Sequence, residues 1–263
     1  MAILQPMINT VQTVKNAFLK PVFDLFVTLL MWLYFTIGFV LLFPPLFLAA
    51  YVNSANRESA FQRLNYNFYR GFFLILRSLT PGMTWQISNK IQSIRSSVIV
   101  CNHLSYLNPL LLISLFPQHK TIVKNTFFKV PIFGWMLKAS GYIPSNAQGS
   151  LSALMIERIE SVDDFLKSGG NLFIFPEGTR SRDGAIGHLN NGAFKIARRC
   201  QAPIQVLKIG GTNRLFTPGR FLFNTIVSAT ITVEKIAVIK PDYENGRSSL
   251  SKTRVQVRSL LEG

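Results

Sequence analysis

The sequence predicts an α/β fold in which a mostly parallel sheet is flanked by helices and follows an N-terminal membrane-embedded helical segment. Three observations support this prediction: a long uncharged stretch near the N-terminus, short apolar runs after residue 83, and helical patterns between those runs. Parallel neighbours need a crossover connection, usually a helix, so strands that alternate with helices favour a parallel sheet. The expected organisation is membrane-anchoring helices over residues 1–80 and an α/β domain over residues 81–263.

The uncharged stretch is long enough to cross a bilayer. No charged residue lies between Asp24 and Arg57, and the apolar residues 25–43 are sufficient for about 30 Å of hydrocarbon at about 1.5 Å per residue. The apolar region of a cleaved signal peptide is shorter, about 7–15 residues, so a retained anchor is predicted. Pro44 and Pro45 interrupt the run, which leaves two geometries open: a single span, or a kinked hairpin in one leaflet. Basic residues on both flanks give no clear orientation and mildly favour the hairpin.

Residues 57–79 have the pattern of an amphipathic helix. Apolar side chains recur at three- and four-residue spacing, with arginines on the other side, and Pro81-Gly82 ends the pattern. The apolar positions are Phe61, Leu64, Phe68, Phe72 and Ile75. Two placements are open: a helix in the membrane interface, or a helix packed on the core of the domain.

After residue 83, strands and helices alternate. Strands are predicted at 83–88, 96–101, 171–175, 203–209 and 229–239, and helical patterns at 108–116, 129–139, 150–168 and 189–200. Ligands of such sheets bind at the carboxyl ends of the strands. Two of the strands run into polar clusters at that end, one with His103 and Asn108, the other with the sequence EGTR at 177–180.

Charge and cysteine content narrow the possible partners. Lys and Arg number 28 against 12 Asp and Glu, so the formal net charge is +16 and an anionic partner is expected. The uncharged stretch, together with the lack of any nucleic-acid-binding motif, favours an anionic membrane surface and no nucleic acid. Cys101 and Cys200 are too few for a disulfide scaffold. No metal-ligand spacing surrounds His119 or His188 and no cofactor fingerprint is present, so neither a metal nor a cofactor is expected.

Four ordered motifs resemble those of the glycerolipid acyltransferases, and most closely those of the 1-acylglycerol-3-phosphate acyltransferase family. They lie at 102–109, 123–144, 175–184 and 201–209, within a resemblance that covers about residues 83–240. The resemblance implies transfer of an acyl chain from acyl-CoA or acyl carrier protein to the free hydroxyl of a lysophospholipid. The expected acceptor is 1-acylglycerol 3-phosphate, which gives phosphatidic acid. The expected location is the membrane, with the catalytic domain on the cytoplasmic side.

The first motif of this family is a histidine followed, after four intervening residues, by an aspartate. By resemblance, His103 is the base that takes the proton of the acceptor hydroxyl as it attacks the thioester carbonyl, with no acyl-enzyme required. The residue at position 108 would orient the imidazole and stabilise its positive charge. By the same resemblance, the substrate-binding residues are Lys124, Glu177, Gly178, Thr179 and Arg180, with Lys124 and Arg180 on the phosphate.

The sequence departs from the family at position 108, where Asn108 replaces the aspartate. An amide carries no charge to balance an imidazolium, and the same exchange in a serine-protease triad costs about 10⁴ in turnover, so impaired turnover is expected. Three interpretations are open: a natural variant with a different supporting residue, an engineered inactive form, or a pseudoenzyme. The alternative function is a catalytically inactive lipid-binding or regulatory protein of the same fold.

Overall fold

A seven-stranded sheet organises the computed structural model, which describes residues 4–181, 183–241, 243 and 246–263. The strands are β1 (Met83–Ile87), β2 (Ser97–Cys101), β3 (His119–Lys124), β4 (Ile143–Ser145), β5 (Asn171–Ile174), β6 (Ile204–Gly210) and β7 (Ala229–Ile239). Their order is β1-β7-β6-β2-β5-β3-β4. The neighbours are parallel except β6 and β7, which are antiparallel. The predicted α/β fold with a mostly parallel sheet is confirmed.

The strands β3 and β4 are absent from the sequence prediction. β3 contains His119 and Lys120, which weaken its apolar signal, and β4 has only 3 residues. His119 is nevertheless buried, with Nδ1 2.6 Å from the Phe116 carbonyl oxygen and Nε2 2.5 Å from the Tyr142 hydroxyl. Burial lowers the pKa of His119 to about 4, so a neutral imidazole joins β3 to the residue before β4.

Helices cover both faces of the sheet. They are α1 (Leu4–Leu33), α2 (Phe43–Asn53), α3 (Arg57–Ser78), α4 (Leu107–Ile113), α5 (Phe133–Ala139), α6 (Ser150–Glu160), α7 (Val162–Lys167), α8 (Gly192–Arg199), α9 (Thr212–Leu215) and α10 (Gly246–Glu262). A π-helical segment (Tyr34–Leu42) joins α1 to α2, and short 3₁₀ turns lie at Asn89–Ile91 and Asn125–Lys129. Successive strand residues point to opposite faces, so Ile99 packs in the core with α3, α4 and α5, whereas Val98 packs with α7, α8 and α10.

The N-terminal segment is helical without a break through the proline pair. α1 continues into the π-helical segment and then into α2, which contains Pro44 and Pro45. The proline pair therefore interrupts the apolar run but not the helix. Proline has no N–H to donate, and the wider turn just before the pair, in which the Phe43 N–H donates to the Gly38 carbonyl, accommodates the missing bonds. By length and composition, the helical stretch Leu19–Asn53 could cross a membrane.

The helix α3 packs on the core of the domain, which is one of the two placements left open by the sequence. The Asn56 side chain caps its first turn by accepting the Ser59 N–H at 3.0 Å. Phe61, Phe68 and Phe72 are buried in the same core as the strands. The domain boundary near residue 80 stays a prediction. Residues on both sides of that boundary share one hydrophobic core.

A buried lysine ties α3 to the sheet. Lys120 of β3 is only 2% exposed, and its Nζ lies 2.8 Å from Glu58 Oε1 in the first turn of α3. Arg158 Nη1 lies 3.0 Å from the other oxygen of the same carboxylate. The Lys120 ammonium also lies 4.6 Å from the centroid of the Phe165 ring. One carboxylate thus neutralises two cations, one of which has almost no access to water.

Candidate active site

The two polar clusters meet at the carboxyl edge of the sheet. The strands β2 and β5 are adjacent and parallel, so the segments that follow them leave the sheet side by side. Glu177 joins the segments: Oε1 accepts the His103 N–H at 2.9 Å, and Oε2 accepts the Gly187 N–H at 2.9 Å. The Ser181 N–H donates to the His103 carbonyl at 2.8 Å. Both carboxylate oxygens of Glu177 therefore accept hydrogen bonds from backbone N–H groups. The family resemblance instead implies that Glu177 binds substrate.

The His103 imidazole is half-buried and packs against an aromatic ring. It stacks on Phe175, with 4.4 Å between the ring centroids and 26° between the planes. Burial and, secondly, the positive charge of Arg180 lower the pKa of His103 to about 4. The ring is therefore neutral at pH 7, which is the form that accepts a proton, but it is a weaker base than an ordinary histidine. Its Nδ1 atom is buried and has no hydrogen-bond partner in the part of the chain that is described.

The Asn108 amide bonds to groups other than the His103 ring. Its Nδ2 donates to the Asn102 carbonyl at 3.2 Å, and its Oδ1 accepts from the Thr212 hydroxyl at 2.6 Å. The Asn102 carbonyl can only accept, so this contact fixes which end of the amide faces it. Asn108 is fully buried in the first turn of α4, just after the loop that carries His103. The hydrogen bond that the family motif implies between residues 103 and 108 is not formed.

Asn102 and Thr212 are functional candidates that the sequence analysis missed. The Asn102 side chain accepts the Ile209 N–H at 2.8 Å and donates to the Ile209 carbonyl at 2.9 Å, which fixes the end of β2 against β6. A buried Asn directly before His103 is visible in the motif and could have suggested this structural role. The sequence around Thr212 gives no sign of a role at the site, because its contact with Asn108 joins parts of the chain that are distant in sequence.

The Arg180 guanidinium lies over the ring of Tyr106, a residue that the sequence analysis also missed. The Arg180 Cζ atom is 3.4 Å from the ring centroid, which is a close cation–π contact. Its Nη1 atom is buried without a hydrogen-bond partner among the described residues. Because Arg donates in a planar fork, it suits bidentate recognition of phosphate. Tyr106 is 52% exposed, so the stacked pair is open to a ligand from solvent.

The remaining predicted residues lie around the same edge of the sheet. Gly178 has a φ of +69°, a conformation that favours glycine, and an added Cβ would come within 3.2 Å of Asn190 Nδ2. Thr179 is exposed beside Arg180. Lys124 is exposed at the carboxyl end of β3, the strand next to β5. The structure therefore places a neutral histidine and two cations at one edge of the sheet.

Part of the chain is similar to known proteins. Residues 83–209 match the model of the family described as Acyltransferase. A chloroplastic 1-acyl-sn-glycerol-3-phosphate acyltransferase of Brassica napus is 34% identical over 122 residues, 46% of this chain and 35% of that protein. Another, of Arabidopsis thaliana, is 32% identical over 133 residues, 51% of this chain and 37% of that protein. The crystal structure of the 1-acyl-sn-glycerophosphate acyltransferase PlsC from Thermotoga maritima shares the fold, with a TM-score of 0.72 and 21% identity, over 92% of this chain and 95% of that chain.

The matched segment contains both polar clusters and every predicted site residue from His103 to Arg180. Residues 83–209 therefore belong to the acyltransferase family. Within that family, the similarity to 1-acylglycerol-3-phosphate acyltransferases that the sequence motifs indicate is confirmed. The chain spans little more than a third of the length of the two relatives, 35% and 37%.

Proposed function

We propose that this protein moves an acyl chain from acyl-CoA or acyl carrier protein to the free hydroxyl of a lysophospholipid. The proposed acceptor is 1-acylglycerol 3-phosphate and the product is phosphatidic acid. The observation that supports this function is the neutral His103 imidazole beside the phosphate-suited guanidinium of Arg180. The proposed reaction uses neither a cofactor nor a metal.

The proposed step needs one base and one anion site. His103 takes the proton of the lipid hydroxyl, and the oxygen attacks the thioester carbonyl. The carbon–sulfur bond breaks, and the thiol leaves with the proton that the imidazole held. Arg180 and Lys124 hold the phosphate, which carries about two negative charges.

Impaired turnover follows from the surroundings of His103. The imidazolium that forms during the step meets the positive charge of Arg180 and receives no carboxylate from position 108. Both effects disfavour the protonated ring. The same observation favours the second candidate function, an inactive lipid-binding or regulatory protein that retains the phosphate site without the base.

Replacing Arg180 by Lys tests the phosphate site. The variant keeps the charge but loses the planar fork, so we expect KM for the lysophospholipid to rise about tenfold, the worth of one charge-assisted hydrogen bond. KM for the acyl donor should hardly change. The matched control is Arg199→Lys on the exposed surface of α8, which should leave both constants as they are. A change confined to the donor would mean that the EGTR segment serves the donor instead.

We propose that the helical stretch 19–53 lies along one leaflet of a membrane as an unbroken helix, neither crossing the bilayer nor folding back as a hairpin. It contacts the domain near its start, where Asp24 accepts the Thr225 N–H at 2.8 Å, and near its end, where Phe47 and Trp135 are 6.3 Å apart between centroids. Its other face is apolar and uncovered, with exposed side chains from Leu19 to Val52. A helix that follows the domain along its length supports burial of that face in one leaflet. The catalytic domain is proposed on the cytoplasmic side.

A high-salt wash tests this membrane placement. Apolar burial is not screened by salt, so the protein should stay with membranes at about 1 M salt, where the Debye length is about 3 Å. The double variant Leu29→Asp/Leu33→Asp, at two exposed positions of α1, should be released because it places charges in the apolar face. Complete release of the unaltered protein by salt alone would contradict the placement.

A further inference from the structure

The segment between α9 and β7 is fixed to the apolar helix by buried polar contacts. Asp24 Oδ1 accepts both the N–H and the hydroxyl of Thr225, at 2.8 and 2.5 Å. Thr28 Oγ1 accepts the Phe223 N–H at 2.9 Å. All four of these residues are buried. The only acidic side chain within the long apolar stretch of the helix is thus used to hold this segment.

The outer surface of the same segment is apolar and uncovered. The Phe221 side chain is 57% exposed and stacks on Trp32, with 6.0 Å between the ring centroids and 8° between the planes. Trp32 is itself 39% exposed. Leu222 and Ile226 are also exposed. Side chains from two distant parts of the chain therefore form one continuous apolar surface.

The exposed charges at this surface belong to arginines, because the nearby Lys20 is paired with the buried Asp24 at 2.5 Å. Arg214 and Arg220 are exposed at its edge, and the Lys20 Nζ atom donates to the Asn224 side chain at 2.7 Å. No acidic residue lies between Asp183 and Glu234 in the sequence. Arginines that border exposed aromatic and aliphatic side chains fit a surface with negatively charged headgroups above an apolar interior.

We propose that residues 214–226, the lipid loop, which begins within α9, form a second membrane contact that inserts Phe221, Leu222 and Ile226 into an anionic bilayer beside the helix. Arg214 and Arg220 then reach the lipid phosphates. This inference rests on the membrane placement proposed above for the helix. A bilayer suits this apolar surface better than a protein partner does. The surface is continuous with the uncovered face of a helical stretch 35 residues long.

The lipid loop also reaches the candidate active site. The Phe216 ring stacks on Phe223, with 4.6 Å between centroids, and lies 6.3 Å from the centroid of Tyr106. Tyr106 in turn supports Arg180. The proposed lipid contact and the proposed phosphate site are therefore neighbours, which suits an acceptor that is itself a lipid.

Fluorophores attached at single cysteines test the lipid loop in the full chain. The background variant is Cys200→Ser, and the buried Cys101 stays. Separate labels are placed at Phe221→Cys in the loop, at Leu29→Cys on the helix, and at Lys195→Cys on α8 as the matched control on the other face of the sheet. The proteins are reconstituted in vesicles of phosphatidylcholine with about a third phosphatidylglycerol, an anionic composition. Quenching is compared for lipids brominated in the acyl chain and for aqueous iodide.

We expect the labels at 221 and 29 to be quenched by brominated lipid and protected from iodide, and the label at 195 to show the reverse. If the label at 221 stays open to iodide while that at 29 is protected, the lipid loop is wrong and the membrane helix stands. If both stay open to iodide, the membrane placement itself is wrong. Protection at 221 without vesicles, rising with protein concentration, would mean that a second copy covers the loop and would overturn the proposal.

The two arginines give a second measurement. Arg214→Gln/Arg220→Gln should lower the protection at 221 several-fold in the anionic vesicles, since each basic residue near a membrane surface contributes about a fivefold preference for anionic lipid. Protection in pure phosphatidylcholine should not change. Lys195→Gln/Arg199→Gln, at two exposed positions of α8, is the control of equal charge change. If the label at 221 is equally protected from iodide in anionic and neutral vesicles when both arginines are present, the role given to the arginines is overturned.

Discussion

Replacing Asn108 by Asp is expected to raise turnover by about 10²–10⁴, by analogy with triad and general-base effects. This gain corresponds to about 3–5 kcal/mol in activation free energy. The reason lies at His103, whose buried Nδ1 has no hydrogen-bond partner among the described residues. A carboxylate at 108 would bind that N–H, select the tautomer and balance the imidazolium.

The present contacts of Asn108 favour such a rearrangement. The amide nitrogen of Asn108 donates to the Asn102 carbonyl at 3.2 Å. An aspartate oxygen in its place would face another acceptor and be repelled, so the carboxylate is expected to turn away toward the imidazole. The Thr212 hydroxyl, which now donates to Asn108 Oδ1 at 2.6 Å, can donate equally well to a carboxylate.

The pH profile gives an independent sign of the same change. A base works only when unprotonated, so activity falls as the pH drops through its pKa. With the pKa of His103 at about 4, the acid limb of kcat/KM for the unaltered chain should lie near pH 4. A neighbouring carboxylate favours the charged imidazole and raises its pKa, so the limb of the Asn108→Asp variant should move to higher pH. Binding of the lysophospholipid should hardly change, because Lys124 and Arg180 hold it.

Two results would contradict this explanation. If the unaltered chain turns over as fast as the Asn108→Asp variant at matched protein and lipid, another residue supports His103 or His103 is not the base. If the acid limb stays near pH 4 in the variant, the new carboxylate does not reach the ring. Wild-type stability of the variant in a denaturant titration ensures that the rates compare folded proteins.

Replacing Glu58 by Gln is expected to lower the free energy of unfolding by about 3–5 kcal/mol, the usual cost of removing one partner of a buried ion pair. Lys120, at 2% exposure, would be left with no carboxylate at 2.8 Å. Arg158 would lose the same partner at 3.0 Å. Denaturant unfolding in detergent measures the loss.

The control for this prediction is the nearby Glu157→Gln. Glu157 is 68% exposed and lies 4.0 Å from Arg158, so its loss should cost no more than about 1 kcal/mol. The double variant Glu58→Gln/Lys120→Met removes the buried charge together with its partner and should recover much of the stability. Equal stability of Glu58→Gln and Glu157→Gln would show that Lys120 gains access to water without cost.

The sheet and the meeting of the two polar clusters follow from local sequence patterns. A fully buried parallel strand such as β2 has a continuous apolar run, and parallel strands bring their carboxyl ends to one edge, so both polar clusters are expected at that edge. Lys120 has the opposite effect on β3. A charged residue interrupts the apolar pattern that would predict a buried strand. Lys120 can be buried there because it pairs with Glu58, which is distant in sequence.

The partners of the site residues depend on contacts between distant segments, which no local pattern contains. The sequence identifies Asn108 as the unusual residue of the motif but not its bond to Thr212. Glu177 is predicted to bind substrate, whereas its hydrogen bonds from the His103 and Gly187 N–H groups depend on how two loops pack. The proline pair leaves the path of the N-terminal helix open, because the sequence does not show the π-helical turn that accommodates the missing N–H groups.

The most direct test of the proposed function is the formation of labelled phosphatidic acid from a labelled acyl donor and 1-acylglycerol 3-phosphate. The reaction is measured with the unaltered chain, with Asn108→Asp, and with Asn108→Asp/His103→Ala, at matched protein and lipid and with both acyl-CoA and acyl carrier protein as donors. We expect slow product formation by the unaltered chain, faster formation by Asn108→Asp, and loss of that gain when His103 is removed. No phosphatidic acid from Asn108→Asp with either donor, or an undiminished rate without His103, would contradict a lysophospholipid acyltransferase that uses His103 as its base.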